Sequence, residues 1–241
     1  MVMLAPLRNR VGNVVAQLRG HATLHCLGDS HVQMFDRLQI EGYLPNTRLR
    51  VFSLPGATAT GMPNPNSRTQ AGVKFQNYLR QVPAHHHVLI CLGEVDCGFV
   101  IWHNAQRHAL SIDDQLQRAI VNYQALVDPL RRRHEGRIIL CAAPLPTIMD
   151  GRDWGEVANL RREVTATLAQ RTQLTQRFNQ RLSDYAQQHH LRYLDLDRDL
   201  FDPSQERIAD RFLNSDPLDH HLNEEALVPV LAQWLHRFDF K

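Results

Sequence analysis

The sequence predicts an α/β fold, a mostly parallel five-stranded sheet between two layers of helices. Three observations predict it. Short apolar runs and amphipathic helical periods alternate five times along the 241 residues, which is the pattern of repeated β–α units. The run His87-Val88-Leu89-Ile90-Cys91-Leu92 is apolar almost throughout, so this strand is buried on both faces, as in a parallel sheet covered by helices. No linker, repeat or low-complexity stretch divides the chain, and this length fits one domain over residues 1–241.

The elements follow in order. Leu7, Val11, Val14, Val15 and Leu18 recur at helical spacing up to Gly20, predicting an N-terminal helix within residues 1–20 that packs on the domain. Residues 23–27 form a short strand running into Gly28-Asp29-Ser30. Val32, Met34, Phe35 and Leu38 then restore the helical period. A second strand over 49–54 is stopped by Pro55-Gly56, and residues 56–69 read as loop because Gly, Pro, Asn, Ser and Thr dominate them. A helix over 70–80 leads to the third strand, 87–92. Ile112, Leu116, Ile120, Tyr123, Val127 and Leu130 mark a long amphipathic helix. It ends in Arg131-Arg132-Arg133, where cations complement the carbonyl end. A fourth strand, 138–143, is closed by Pro144 and Pro146. Leu160, Val164, Leu168, Leu174, Phe178, Leu182 and Tyr185 trace a further helix. A fifth strand over 191–196, a polar loop and a last helix from near Asn223 complete the pattern.

Composition narrows the function classes. With 27 basic against 25 acidic residues the net charge is +2, too small to suggest a nucleic-acid partner, and the arginines are spread along the chain. No apolar stretch approaches the roughly 18 residues a membrane helix needs, so no membrane partner is expected. The apolar start is broken by Pro6 and followed by Arg8 and Arg10, which leaves no signal-peptide core and predicts a cytoplasmic protein. Cys26, Cys91, Cys97 and Cys141 lie in or beside strands without zinc-site spacing, and read as buried free thiols. His85-His86-His87 and His189-His190 lead into strands, where consecutive side chains point to opposite faces and rarely converge on one ion. No metal or organic cofactor is expected.

In an open parallel sheet the ligand site lies at the carboxyl ends of the strands. Gly28-Asp29-Ser30 stands at such an end, at the first turn of a helix, where unpaired N–H groups favour an anion. A hydroxyl there can attack a carbonyl while its own N–H holds the oxyanion. The alternative is that Ser30 or Asp29 only caps the helix. The motif is not the Gly-x-Ser-x-Gly elbow, since Val32 stands at its last position. Near the C-terminus, Asp216-Pro217-Leu218-Asp219-His220-His221-Leu222-Asn223-Glu224-Glu225 places a His pair before the last helix, with Asn223 as its N-cap. A histidine there can take the serine proton and an Asp can orient it. Alternatively it is an ordinary loop histidine.

Taken together, Gly28-Asp29-Ser30, Gly56 after the second strand, Gly93-Glu94-Val95-Asp96 after the third, and an Asp/His pair before the last helix resemble the four blocks of the SGNH (GDSL-type) hydrolase superfamily. They span most of the chain in the expected order. The resemblance implies a flavodoxin-like α/β/α sandwich and a serine hydrolase with Ser30 as nucleophile and His221 as general base. The N–H groups of Ser30 and Gly56 would then line the oxyanion hole. Two positions depart from the family pattern. Val95 stands where an oxyanion-hole asparagine is expected, a donor typically worth about 2.7–4 kcal/mol, and Asn64, Asn66 and Asn104 are candidates to replace it. The family's orienting Asp stands three residues before the His, which here is Leu218. His221 is preferred as base because Leu222-Asn223 follow it, with Asp219 as orienter and Asp216 as competitor. The Gly-Asp-Ser-His and Gly-Glu-Val-Asp-Cys blocks, with Pro-Gly-Ala-Thr-Ala between them, resemble a subset of the superfamily, and that resemblance would make valine ordinary at this position.

Asp29, Glu94, Asp96, Asn64 and Asn66 are candidates for substrate contacts; for Asp96 the alternative is to brace the Ser30 turn. Trp102 and His103 are candidates for an apolar wall. The expected reaction is hydrolysis of a small O-acyl ester, above all an O-acetyl group on a sugar or polyol, through an acyl-Ser30 intermediate. The substrate partner is a small molecule or glycan ester. An acyltransferase using the same acyl-enzyme and a catalytically silent binding domain are the alternatives.

Overall fold

The computed structural model describes residues 22–151, 164–216 and 219–240. The sheet contains β1 (Ala22–Gly28), β2 (Thr47–Ser53), β3 (His87–Cys91), β4 (Ile138–Cys141) and β5 (Arg192–Leu194). Its order is β2-β1-β3-β4-β5, and every neighbouring pair is parallel. The helices are α1 (Met34–Ile40), α2 (Ala71–Arg80), α3 (Ile101–His108), α4 (Ile112–Arg133), α5 (Leu168–Gln188), the single-turn α6 (Asp197–Leu200) and α7 (Glu224–His236). From β1 the chain moves outward to β2, then crosses back to β3 on the other side of β1. The winding therefore reverses beside β1, and the crevice such a reversal opens lies at the end of β1 where Ser30 stands.

The strands separate two cores by their period of two. Leu27, Val88, Ile90, Ile138 and Leu140 pack with Phe75, Leu116, Tyr123, Phe178 and Leu182 of α2, α4 and α5. Their alternates Leu24, Cys26, Leu89, Cys91, Ile139 and Cys141 pack with Phe35 and Leu38 of α1 and with Leu227, Leu231 and Leu235 of α7. Both faces are thus covered, the three-layer arrangement that the all-apolar third strand predicts. Each such side chain stabilises the fold by about 1.5–3 kcal/mol on burial. All four cysteines are buried and unbridged.

Two glycines fix the strand ends nearest the site. A Cβ on Gly28 would lie 2.1 Å from the Cys91 carbonyl oxygen on β3, and one on Gly93 would lie 2.4 Å from the Phe178 ring. Gly93 also has φ +126°, a value L side chains rarely adopt. Both positions therefore exclude a side chain, one for close strand approach and one for close helix approach.

Some boundaries differ from the periodicity. α5 begins at Leu168 because Thr167 and Gln170 form a reciprocal capping box; Val164 precedes the helix, and Leu160 and the helix expected within residues 1–20 lie outside the described residues. The cationic end of α4 does more than offset its own dipole, since the Arg133 guanidinium donates to the Leu79, Arg80 and Val82 carbonyls and closes the end of α2. α3 and the small hairpin β6 (Phe201–Asp202) and β7 (Arg207–Ile208) were not anticipated. His86 and His87 face inward. His25 bonds Tyr78 Oη at 2.8 Å and His86 at 3.0 Å, and burial, with the neighbouring cations, lowers His25 to about 3 and His86 to about 4. Among the described residues, no helix is long and apolar enough to cross a membrane.

Candidate active site

Ser30 opens a short 3₁₀ turn, Ser30–Gln33, directly after β1. The N-cap of that turn is Asp29, whose Oδ1 accepts from the His31 N–H at 2.9 Å. The cap is therefore supplied by Asp29, and the Ser30 hydroxyl is not the capping group. The turn is anchored to β2: the Leu54 N–H donates to the Gly28 carbonyl (2.9 Å) and the Ser53 hydroxyl to the Asp29 carbonyl (3.1 Å). Gly56 lies in the next turn, closed by the Ala57 N–H on the Leu54 carbonyl. The glycine expected at the oxyanion hole thus follows the strand neighbouring β1.

His221 precedes α7, which Asn223 caps through the Glu225 and Ala226 N–H groups. The Asn223 N–H donates to the Phe212 carbonyl (2.9 Å), and the Thr147 hydroxyl to the His220 carbonyl (2.5 Å). These bonds fix the loop against the core. The two-residue spacing of Asp219 and His221 has a local explanation: Asp219 Oδ1 accepts from the His221 N–H at 2.9 Å and lies 2.7 Å from His221 Nδ1. Asp219 Oδ2 accepts from Asn214 Nδ2 at 2.9 Å. Burial would raise the Asp219 pKa, but the His221 backbone and ring hydrogen bonds outweigh it and hold the carboxyl below its ordinary range. Asp216 lies on the exposed side, its N–H donating to Asn214. With Nδ1–H directed at a carboxylate, the lone pair of His221 is on Nε2. Nε2 is buried and has no hydrogen-bond partner among the described residues.

Ser30, His31, Asp219 and His221 line one cleft of about 500 Å³. Gln33 and Arg37 from the α1 side, and Asn214, Asn223 and Glu224 from the α7 side, form much of the rest. Arg37 pairs with Glu41 at 2.9 Å and with Glu224 at 3.5 Å, linking the two walls. Met34 and Leu222 are the apolar members of the lining.

Asp29, Glu94, Asp96, Asn64 and Asn66 are not among the residues that line this cleft. Asp96 is fully buried; its carboxylate accepts from the Ala59 and Thr60 N–H groups at 2.7 and 2.9 Å. It therefore braces the loop after β2. Burial raises its pKa against those hydrogen bonds. Asp29 is 1% exposed and engaged by His31. Glu94 is likewise buried, 3.9 Å from His31 Nδ1. Asn64 and Asn66 are exposed, the Asn64 side chain closing its own turn on the Asn66 N–H, and neither lines the cleft, nor does Asn104. Val95 lies in a helical turn leading into a π-helical segment, with no amide in its place. Trp102 donates to the Cys97 carbonyl and packs on the α2–α4–α5 core away from the cleft.

The residue that motif reading passed over is His31. Its signal was present as a repeat: Asp-x-His occurs at Asp29/His31 and at Asp219/His221. In both, one carboxylate oxygen holds the histidine N–H at 2.9 Å and its Nδ1, at 3.0 and 2.7 Å. The two imidazoles have ring centroids 5.0 Å apart, with their planes tilted at 49°.

The profile of the GDSL-like Lipase/Acylhydrolase family matches residues 20–226. No curated protein matches the chain at a significant level. Among solved structures, the chain is similar to a provisionally assigned acylhydrolase of Bacteroides fragilis (TM-score 0.58, 18% identity, covering 89% of this chain and 85% of that one). It is also similar to the acetyl xylan esterase AlAXEase (TM-score 0.51, 18% identity, 89% and 98%) and to a provisionally assigned SGNH hydrolase of Slackia heliotrinireducens (TM-score 0.51, 15% identity, 89% and 99%). At these identities the likeness to the solved structures establishes the shared fold.

Proposed function

The chain belongs to the GDSL-like lipase/acylhydrolase family and is an ester-hydrolysing enzyme, and on that premise we propose that it is a serine esterase that removes a small acyl group from a polar alcohol, with Ser30 as nucleophile and His221 as general base. The observation that carries the reading is the Asp219–His221 pair. Its Nδ1 is committed to a carboxylate, its Nε2 is buried with no hydrogen-bond partner among the described residues, and it lines the same cleft as Ser30. A nitrogen prepared in this way accepts a proton, and the Ser30 hydroxyl, at the end of β1 in the same cleft, is placed to supply one.

In the first step Nε2 takes the Ser30 proton as Oγ bonds to the acyl carbon. The carbonyl oxygen becomes an oxyanion held by the N–H groups of Ser30 and Gly56. The imidazolium, balanced by Asp219, returns its proton to the leaving alkoxide, and the ester C–O bond breaks. Acyl-Ser30 remains. Water attacks it while giving a proton to Nε2; that proton passes back to Ser30 Oγ as the acid departs. With valine at position 95 the amide donor common to the family is missing, so the two N–H groups carry the oxyanion.

The lining favours the substrate class. Amide and charged groups of Gln33, Arg37, Asn214, Asn223 and Glu224 surround the cleft, suited to the hydroxyls of a sugar or polyol. Met34 and Leu222 offer apolar surface for little more than an acetyl group. The test is intact mass after exposure to a fluorophosphonate, with acetyl, butyryl and octanoyl nitrophenyl esters as a length series. One adduct on the native protein, lost in Ser30→Ala, with turnover falling along the series, is the expected result. An unmodified native protein overturns the serine mechanism, and faster turnover of the octanoyl ester overturns the short-acyl assignment.

A further inference from the structure

We propose that Asp96 is a positioning residue for turnover, its carboxylate clamping the loop that carries the Gly56 N–H. Gly56 is an oxyanion donor only under the serine-esterase reading, and the role of Asp96 rests on that reading.

Ser30 follows β1, and β1 lies between β2 and β3 in the sheet. The Gly56 loop leaves β2 on one side, and Asp96 follows β3 on the other. The carboxylate joins the two. Its Oδ2 accepts from the Ala59 N–H at 2.7 Å and its Oδ1 from the Thr60 N–H at 2.9 Å. The clamp therefore ties together the ends of the two strands that flank the nucleophile. Both of its sides are firm. On the β3 side, Gly93 packs too closely on Phe178 to admit a side chain, and the Cys97 N–H donates to the Gly93 carbonyl at 2.8 Å. On the β2 side, the Ala57 N–H closes on the Leu54 carbonyl at 2.9 Å and the Met62 N–H on the Ala59 carbonyl at 3.2 Å. Asn122 Nδ2 of α4 donates to the Thr60 carbonyl at 3.1 Å, so the Thr60 residue is gripped at both its N–H and its C=O. Ala57 and Ala59, between Gly56 and Thr60, are fully buried, and a shift at Thr60 is passed to Gly56 with little slack.

A fully buried carboxylate is expensive to desolvate. What it supplies here is a two-point, charge-assisted grip, about twice as strong per bond as a neutral acceptor would give. The need for such a grip follows from its neighbour. Val95 brings no amide to the oxyanion, so the developing charge falls on two backbone N–H groups, and a displaced one is not compensated by a third. Misplacement by about 1 Å costs on the order of 10²-fold in rate, and outright loss of one donor costs about 10²–10³ in kcat. The segment that lacks the amide thus secures a remaining donor through its next residue.

The experiment measures kcat and KM of the native chain, Asp96→Asn and Asn122→Ala on nitrophenyl acetate and on its thionoacetate. Sulfur is a weak acceptor, so the C=S compound draws little from the oxyanion donors and reports on everything else. Fluorophosphonate titration counts competent sites, so that each kcat refers to folded enzyme. An asparagine at position 96 keeps one of the two bonds and turns its NH₂ against the other N–H. We expect kcat on the oxygen ester to fall about tenfold or more in Asp96→Asn, with KM within about twofold of native. The ratio of oxygen-ester to thionoester turnover should fall about threefold or more in both variants. Equal losses on the two esters would mean a general loosening of the fold and overturn the positioning role, as would an unchanged kcat in Asp96→Asn. If the buried Asp96→Asn does not fold, Asn122→Ala decides by the same ratio, since that side chain is half-buried and outside the cleft. A native chain that fluorophosphonate leaves unlabelled overturns the serine reading, and the role of Asp96 falls with it.

Discussion

Asp219→Asn separates a catalytic dyad from an incidental loop contact, and its cost follows from the hydrogen bonds on the page. Asp219 Oδ1 receives both the N–H and Nδ1 of His221, and Oδ2 receives Asn214 Nδ2. An asparagine must place its NH₂ on one side or the other. Facing Asn214, it meets a donor, and Asn214 cannot simply flip because its Oδ1 already accepts from the Asp216 N–H. Facing His221, it forces the proton onto Nε2 and removes the lone pair that takes the Ser30 proton. Even with the correct tautomer, the imidazolium of the transition state loses its carboxylate. A unit charge pair about 4 Å apart is worth about 4 kcal/mol at an effective dielectric near 20, close to 10³ in rate. Side-chain exposures of 35% and 40% keep the ground-state pair weak, about 0–1 kcal/mol. The expected signature is therefore a kcat/KM loss of about 10²–10⁴ with an almost unchanged melting temperature. Steady-state hydrolysis of an acetyl ester, beside thermal unfolding, measures both. Asp216→Asn, on the exposed side, should stay within about twofold of native activity. A loss below tenfold in Asp219→Asn, or an equal loss in Asp216→Asn, would refute the dyad.

Three further outcomes are expected. Burial, with a smaller push from Asp195, raises Asp197 to about 6 despite the Asn179 hydrogen bonds. A folded-state pKa above the unfolded one contributes stability that is complete below pH 4 and lost as pH rises through about 6. Asp197→Asn should flatten this window by about 3 kcal/mol or less in urea unfolding, and an unchanged pH profile would contradict it. His25 and His86 act in the opposite direction: with folded values of about 3 and 4 against an unfolded 6.5, their contribution is full above pH 6.5 and is lost as pH falls through about 4 for His86 and about 3 for His25. His25→Gln should shrink the acid loss of stability below pH 6.5, measured by the same unfolding series. Gly28→Ala sets a Cβ against the Cys91 carbonyl oxygen and should cost about 3 kcal/mol or more of stability by forcing β1 from β3; a native-like melting temperature would mean that the strands yield.

The alternation of apolar runs and helical periods determined the layers, since a strand apolar on both faces has to be covered on both. The same reasoning located Ser30 and the His pair at the right end of the sheet, because caps, prolines and glycines mark where strands stop. Boundaries set by side-chain bonding were less legible: the Thr167–Gln170 box starts α5 later than the apolar period suggests. Acidic and amide residues near the motifs could not be assigned a role from the chain alone. Asp96, two residues from Glu94, turned inward to hold Ala59 and Thr60, and Asn64 served its own turn.

What the sequence determined by itself is therefore local: which segments are strands and helices, and which of their ends carry Ser30 and the His pair. Periodicity and capping act over a few residues, and a few residues suffice to encode them. Only the tertiary structure decided which carboxylate faces which ring. Residues 29–31 and 219–221 are joined not by the chain but by the packing of α1 on α7 against one face of the sheet. That packing brings the two Asp-x-His units together, their histidine ring centroids 5.0 Å apart, and it depends on the shape of the whole core.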